Sequence, residues 1–132
     1  MTLVYAEAES VVRSALASAF ADVRVVTELP ANLGDVLPVV EVSRFGGSDD
    51  VLSFDNANVD VDVYAASRGA ARTLAEQVRA YMRGQLPGQT FAGAFVLSVS
   101  TISAPMWTPY DNTALRRFNS SYRIRLHSLQ TS

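Results

Sequence analysis

The sequence predicts an α+β fold: a mostly antiparallel sheet with two helices packed on one face, in the order α-β-β-β-α-β-β. Two observations carry this. Phe54 to Ala65 alternates with period two, placing Ala57, Val59, Val61, Val63 and Ala65 on one face and Asn56, Asn58, Asp60, Asp62 and Tyr64 on the other. After Ser67-Arg68-Gly69 the period changes to helical, with Ala71, Leu74, Ala75, Val78, Met82 and Leu86 forming an apolar stripe opposite Arg68, Arg72, Glu76, Arg79 and Arg83. A strand with one apolar face, joined directly to a helix with one apolar stripe, is economical only if the two bury those surfaces against each other.

The remaining elements follow in order. Thr2 is placed to cap a helix over residues 5–21, with Glu7 and Glu9 near its positive end and Ala8, Val12, Ala15, Leu16, Ala19 and Phe20 along its apolar side. Val23 to Thr27 reads as a short strand, and Pro30, Asn32, Gly34 and Asp35 mark a turn. Pro38 to Phe45 is a second strand, its proline at a first position where no interior ladder bond is lost. Gly46-Gly47-Ser48-Asp49-Asp50 reads as a flexible hairpin connection near 46–52, because no Lys-Ser/Thr and no helix follow the glycines as a phosphate loop requires. Ser67 is the expected N-cap of the second helix, which Gly84 or Gly88 with Pro87 ends. Ala94 to Ser103 is a strand, and Ala104 to Asn112 a two-proline loop with the single Trp. Arg116 to Leu129 closes as a long strand, Phe118, Tyr122, Ile124 and Leu126 on one side and Arg123, Arg125 and His127 on the other.

Composition bounds the function. At 132 residues and 48% hydrophobic content the chain has material for one domain, 1–132, with one core. A formal charge of −2 is too near zero for a general nucleic-acid binder. No apolar run approaches the roughly 20 residues that span a bilayer, so no membrane partner is expected. The first residues carry no basic region and no signal-like core, so export is not expected. Without cysteine there are no disulfides, thiolate metal sites or thiol nucleophiles. All eleven basic residues are Arg, which suits interfaces through its bidentate fork and is also what a GC-rich genome produces.

No constellation points to catalysis or to a cofactor. His127 is the sole histidine, and no Gly-x-Ser-x-Gly elbow supplies a nucleophile for it. Asp60 and Asp62 share a strand face but offer too few ligands for a cation; either Arg123 and Arg125, equally spaced, are their ionic partners, across the sheet or across a subunit boundary, or the two acids form a solvated or lumen-facing acidic surface. The arginine stripe on the second helix has no aromatics interleaved for stacking on nucleic acid. Met106, Trp107 and Tyr110, held between Pro105 and Pro109, read either as a recognition loop or as a cap on the core.

The parts together resemble a known family. They are the Gly/Ser/Asp hairpin, the strand Asn58-Val59-Asp60-Val61-Asp62-Val63-Tyr64-Ala65, the helix opened by Ser67-Arg68, the loop from Ala104-Pro105-Met106-Trp107 to Tyr110-Asp111, and the run Arg116-Arg117-Phe118-Asn119-Ser120-Ser121-Tyr122-Arg123-Ile124. This arrangement, over nearly the whole chain, resembles the tail terminator (tail completion) proteins of long-tailed bacteriophages, particularly those of actinobacterial hosts. The resemblance implies a virion structural protein without catalysis or cofactor. Such proteins form a hexameric ring at the head-proximal end of the tail, assembled in the host cytoplasm. The ring stops tail-tube polymerisation, meets the head-tail connector, and lets genomic DNA pass without sequence recognition. By the same resemblance Arg116 and Arg117 match the basic start of the final strand, Asp60 and Asp62 the acidic strand, and Gly46, Gly47, Ser48, Asp49 and Asp50 a hairpin that orders on the tube. Asp60/Asp62 and Arg116/Arg117 are expected on separate surfaces, as a head-to-tail contact needs. The alternatives are another neck or connector component of the virion and a small ligand-binding α+β domain, the latter needing a pocket built on Asp60, Asp62 and His127.

Overall fold

A computed structural model describes residues 4–49, 54–108 and 116–128. The elements are α1 (Ala8–Ala19), β1 (Arg24–Val26), a 3-10 turn (Leu33–Asp35), β2 (Val39–Asp49), β3 (Phe54–Ala65), α2 (Arg68–Gly84), β4 (Thr90–Phe91), β5 (Ala94–Thr108) and β6 (Arg116–Ser128). Six strands form one sheet in the order β1-β2-β3-β6-β5-β4. Every pairing is antiparallel except β1 with β2. The α+β class and the two-helix arrangement are therefore as the patterning predicts.

The alternation of β3 becomes the core. Ala57, Val59, Val61 and Val63 are fully buried, together with Tyr122, Ile124 and Leu126 of β6, beneath Val11, Val12, Ala15 and Leu16 of α1 and Ala71, Ala75, Val78 and Met82 of α2. Fully burying side chains of this size contributes about 1.5–3 kcal/mol each, which is why the valine face fixes which side the helices occupy. The Ser67 Oγ accepts from the Ala70 N–H at 3.1 Å, so α2 is capped as its sequence predicts. At α1, Glu7 takes the N-cap position without a side-chain cap, and the expected cap Thr2 lies outside the described residues.

Four expectations are corrected. Gly46 to Asp49 is strand rather than connection: after a register shift between Arg44 and Gly47, Gly47, Ser48 and Asp49 pair with Ala57, Asn56 and Asp55. The glycines supply the irregularity, with φ of 98° and 128°; a Cβ on Gly47 would meet the Asn56 carbonyl oxygen at 1.9 Å. Asp50 lies outside the described residues. Ala104 to Thr108 likewise continues β5, because Pro105 sits on a strand whose far side has no ladder partner there among the described residues, and a register shift between Ser103 and Met106 absorbs it. Tyr64 is 1% exposed rather than part of a polar face: Leu33 and Val39, with Val26, Leu29, Val36 and Leu37 around them, form a second small core over that end of the sheet. Finally, β4 was not anticipated; two residues joined to β5 through Ala92 and Gly93, both at positive φ, are too short for a periodic signal.

Candidate functional site

The helices leave the opposite sheet face to polar side chains, and these interlock across β3 and β6 in strict register. Asn119 Nδ2 donates to Asp62 Oδ1 at 2.6 Å, and Ser121 Oγ to Asp60 Oδ1 at 2.5 Å. Arg123 Nε donates to Asn58 Oδ1 at 3.2 Å. Arg125 lies opposite Asn56, its guanidinium 5.0 Å from the centre of the Phe54 ring, and Phe54 stacks on His127 with centroids 4.7 Å apart.

This register corrects the expected pairing of Asp60 and Asp62 with Arg123 and Arg125 within the sheet; it does not bear on pairing across a subunit boundary. The acids face Ser121 and Asn119, and the arginines lie opposite Asn58 and Asn56. All are on the expected face; an antiparallel pairing of Asp60 with Arg125 and Asp62 with Arg123 would need a register two side-chain steps away.

Arg117 is also placed differently. It lies opposite Tyr64 on the same face as Asp62, so the two charges do not occupy separate surfaces. Burial pushes the Tyr64 hydroxyl up to about 12, against a hydrogen bond with Arg117 that lowers it. Glu41 lies directly opposite Asp62. Burial first, then the Asp62 charge, raises the Glu41 carboxyl; burial raises Asp62 too, opposed by the Asn119 hydrogen bond and the Arg117 charge. The result is a half-buried group of two carboxyls, a phenol and one guanidinium. Arg116 opens β6 opposite Ala65.

The aromatic segment divides. Trp107 packs against the core, edge-on to Phe118 at 5.7 Å, with the Arg68 guanidinium 5.0 Å over its ring. Met106, next to it, is 54% exposed and available for contact. Tyr110 lies outside the described residues.

Sequence reasoning missed Arg44 and Asp55, which pair across β2 and β3 on the helix side of the sheet. The signal was present: Asp55 has the same parity as Ala57 and Val59, so a carboxylate on the apolar face required a cation. The Arg44 N–H, on the strand's free side, is taken by Glu9 of α1 at 2.8 Å.

Asp60 lies opposite Ser121 and His127 opposite Phe54, so they do not converge with Asp62 on a pocket. Among the described residues no group of three or more His, Cys, Asp or Glu could hold a metal ion, and no helix is long and apolar enough to cross a membrane. One apolar cleft, about 560 Å³, is lined by Leu37, Pro38, Gly69, Ala70 and Leu74 among others, none of them titratable.

Comparisons with known proteins agree with the fold. The family described as phage tail termination protein matches residues 4–102. A chain in the solved structure titled "Virion of native gene transfer agent (GTA) particle" superposes with a TM-score of 0.62 over 92% of this chain and 95% of that one, at 13% identity. No curated protein matches. The match spans most of the chain, so this protein belongs to the phage tail termination protein family and is a structural component of the tail, not an enzyme.

Proposed function

We propose that this protein caps the phage tail tube as a homohexameric ring. It ends tube polymerisation and presents the surface that joins the head-tail connector at the head-proximal end, after assembly in the host cytoplasm. Genomic DNA passes through the ring without sequence recognition. The observation that carries the reading is the family match over residues 4–102, together with a sheet whose second face, beyond the small core around Tyr64, is polar and carries no α-helix among the described residues. A sheet with free edges and one such face gains from neighbours that cover them, and closed rotation supplies neighbours to every copy. A formal charge of −2 fits a passage that does not hold DNA.

The contacting surfaces are drawn from Asp60, Asp62, Arg116, Arg117, Arg123, Arg125, Met106, Trp107 and Tyr110, with Gly46 to Asp50 meeting the tube subunit. Within that set the exposed Arg123 and Met106 offer direct contact, while Trp107 acts by holding β5 against the core.

The test adds the protein to polymerising tail-tube subunits. A terminator fixes tube length and makes the tubes joinable to heads. Tubes that grow on unaltered, or that stop but never join, contradict the reading; binding without length control is what another neck component would show.

A further inference from the structure

Charge is unevenly distributed along this chain. Residues 1–62 hold eleven acids and three arginines, a balance of −8; residues 63–132 hold two acids and eight arginines, a balance of +6. The topology turns this sequence asymmetry into a lateral one. With the sheet order β1-β2-β3-β6-β5-β4, the acidic half of the chain forms one side and the basic half the other. Helix α1 packs on β2 and β1 and also reaches β4 and β3, and α2 packs on β5, β6 and β3, so the lateral difference in charge rests on the strands and their edges more than on the helices.

The two flanks are also where apolar side chains reach solvent. Among the described residues the exposed large apolar side chains are Val4, Tyr5, Phe45, Leu97, Ile102 and Met106. Phe45 is on β2, and Tyr5 lines a small cleft with Arg44, Asp49 and Asp55 beside it. Leu97, Ile102 and Met106 are on β5. None lies on α2, β3 or β6. Next to Ile102, Arg79 and Arg83 of α2 face Thr101 across a cleft of about 540 Å³. Arg79 meets Glu76 at 3.6 Å with both side chains more than 40% exposed, a pairing weak enough to exchange for another carboxylate.

From this we infer that neighbouring copies in the ring meet flank to flank, the α2–β5 side of one against the α1–β2 side of the next. The inference rests on the ring reading above. Two basic flanks, or two acidic ones, repel when brought together, so a two-fold contact is disfavoured; unlike flanks attract, and a head-to-tail contact of unlike surfaces is what closes a ring. Phe45 and Tyr5 on one side, and Ile102 and Met106 on the other, supply the apolar centre. Arg79 and Arg83 meet Glu7 and Asp49, which are exposed on the acidic flank.

Side chains rather than a continued ladder make this contact. β5 has three register shifts and Pro105 along it, and Glu9 already occupies the Arg44 N–H on β2; both devices blunt an edge against strand addition.

The absence of cysteine permits a clean test, because any thiol introduced is the only one of its kind. Phe45→Cys and Ile102→Cys each mark one flank at an exposed site. Caps assembled on tail tubes are treated with a short bis-maleimide and run on a denaturing gel. Either variant alone is expected to stay monomeric, and the chain carrying both to give a ladder ending at the ring's copy number. Dimers from a single variant overturn the inference, because like flank would then meet like. So does a double variant without a ladder in caps that image as rings. If wild-type protein forms no ring on tubes, the ring reading itself fails, and imaging distinguishes that from failure of the flank contact.

Charge reversal gives an independent readout. Arg79→Glu with Arg83→Glu, checked for an unchanged thermal melt, is expected to lower cap occupancy about tenfold or more. Adding Glu7→Arg and Asp49→Arg in the same chain restores it. Unchanged occupancy after the first pair, or no recovery after the second, contradicts the proposed contact.

Discussion

Arg44 and Asp55 grip each other at two points across β2 and β3, Nη1 to Oδ2 at 2.6 Å and Nη2 to Oδ1 at 2.8 Å. The Asp55 side chain is only 7% exposed, whereas that of Arg44 is 32% exposed. The pair sits at the margin of the core, just where the Gly46–Gly47 bulge redirects β2, and the Arg44 Nε also donates to the Gly46 carbonyl at 2.9 Å. One side chain therefore ties the bulge to the next strand.

Asp55→Asn tests that role. Breaking a buried pair by removing one partner costs about 3–5 kcal/mol, and the partial exposure of Arg44 reduces this to about 1–2 kcal/mol. Urea unfolding should show a lower midpoint with an unchanged slope.

The two glycines of the bulge separate in a second experiment. Gly47→Ala places a Cβ 1.9 Å from the Asn56 carbonyl oxygen at a φ of 128°, and the obstacle is backbone. It is expected to destabilise by more than about 2 kcal/mol. Gly46→Ala meets nothing within 4 Å and carries only the left-handed strain, about 1 kcal/mol. Thermal melts of the two variants should differ in that order.

The cap on α2 gives a third. Ser67→Ala removes the acceptor for the Ala70 N–H and should cost about 1 kcal/mol, while Ser67→Asp should keep most of the stability.

Glu41 carries a pH prediction. Burial and the facing Asp62 raise its pKa above the usual 4.5; the Arg117 charge opposes this, and Glu9 adds to the rise. The folded chain therefore keeps the proton to higher pH than the unfolded chain. Stability is lost as pH rises through the folded value, and regained as it falls toward the unfolded one. Glu41→Gln removes that loss, so its urea midpoint should exceed that of wild type at pH 7 and converge with it below about pH 4.

Particular residues show how much was legible in the sequence. The alternation from Phe54 to Ala65 and the stripe from Ala71 to Leu86 identified the core, because each needs only the local period of one element. Ser67 was legible as a cap for the same reason. Gly46-Gly47 was not: a double glycine signals a turn or a bulge equally well, and only the pairing of Gly47 with Ala57 decides. Ala104 to Thr108 was masked by its proline, whose meaning depends on whether the strand has a neighbour on that side. Asp60 and Arg123 show the deeper limit. Period two assigns a face, but sliding a strand by two residues preserves every face and changes every partner. The register that gives Asp60 to Ser121 and Arg123 to Asn58 comes from the whole sheet. Tyr64, alone among the polar-face residues of β3 in being buried, depends on a segment from Val26 to Leu37 that carries no periodicity at all.

The central claim is that this tail protein caps the tube where it meets the head. Imaging of intact particles with the protein labelled tests it most directly. The account predicts one ring-shaped label at the head-proximal end of each tail. Label along the tube, at the distal tip or absent from mature particles would contradict it.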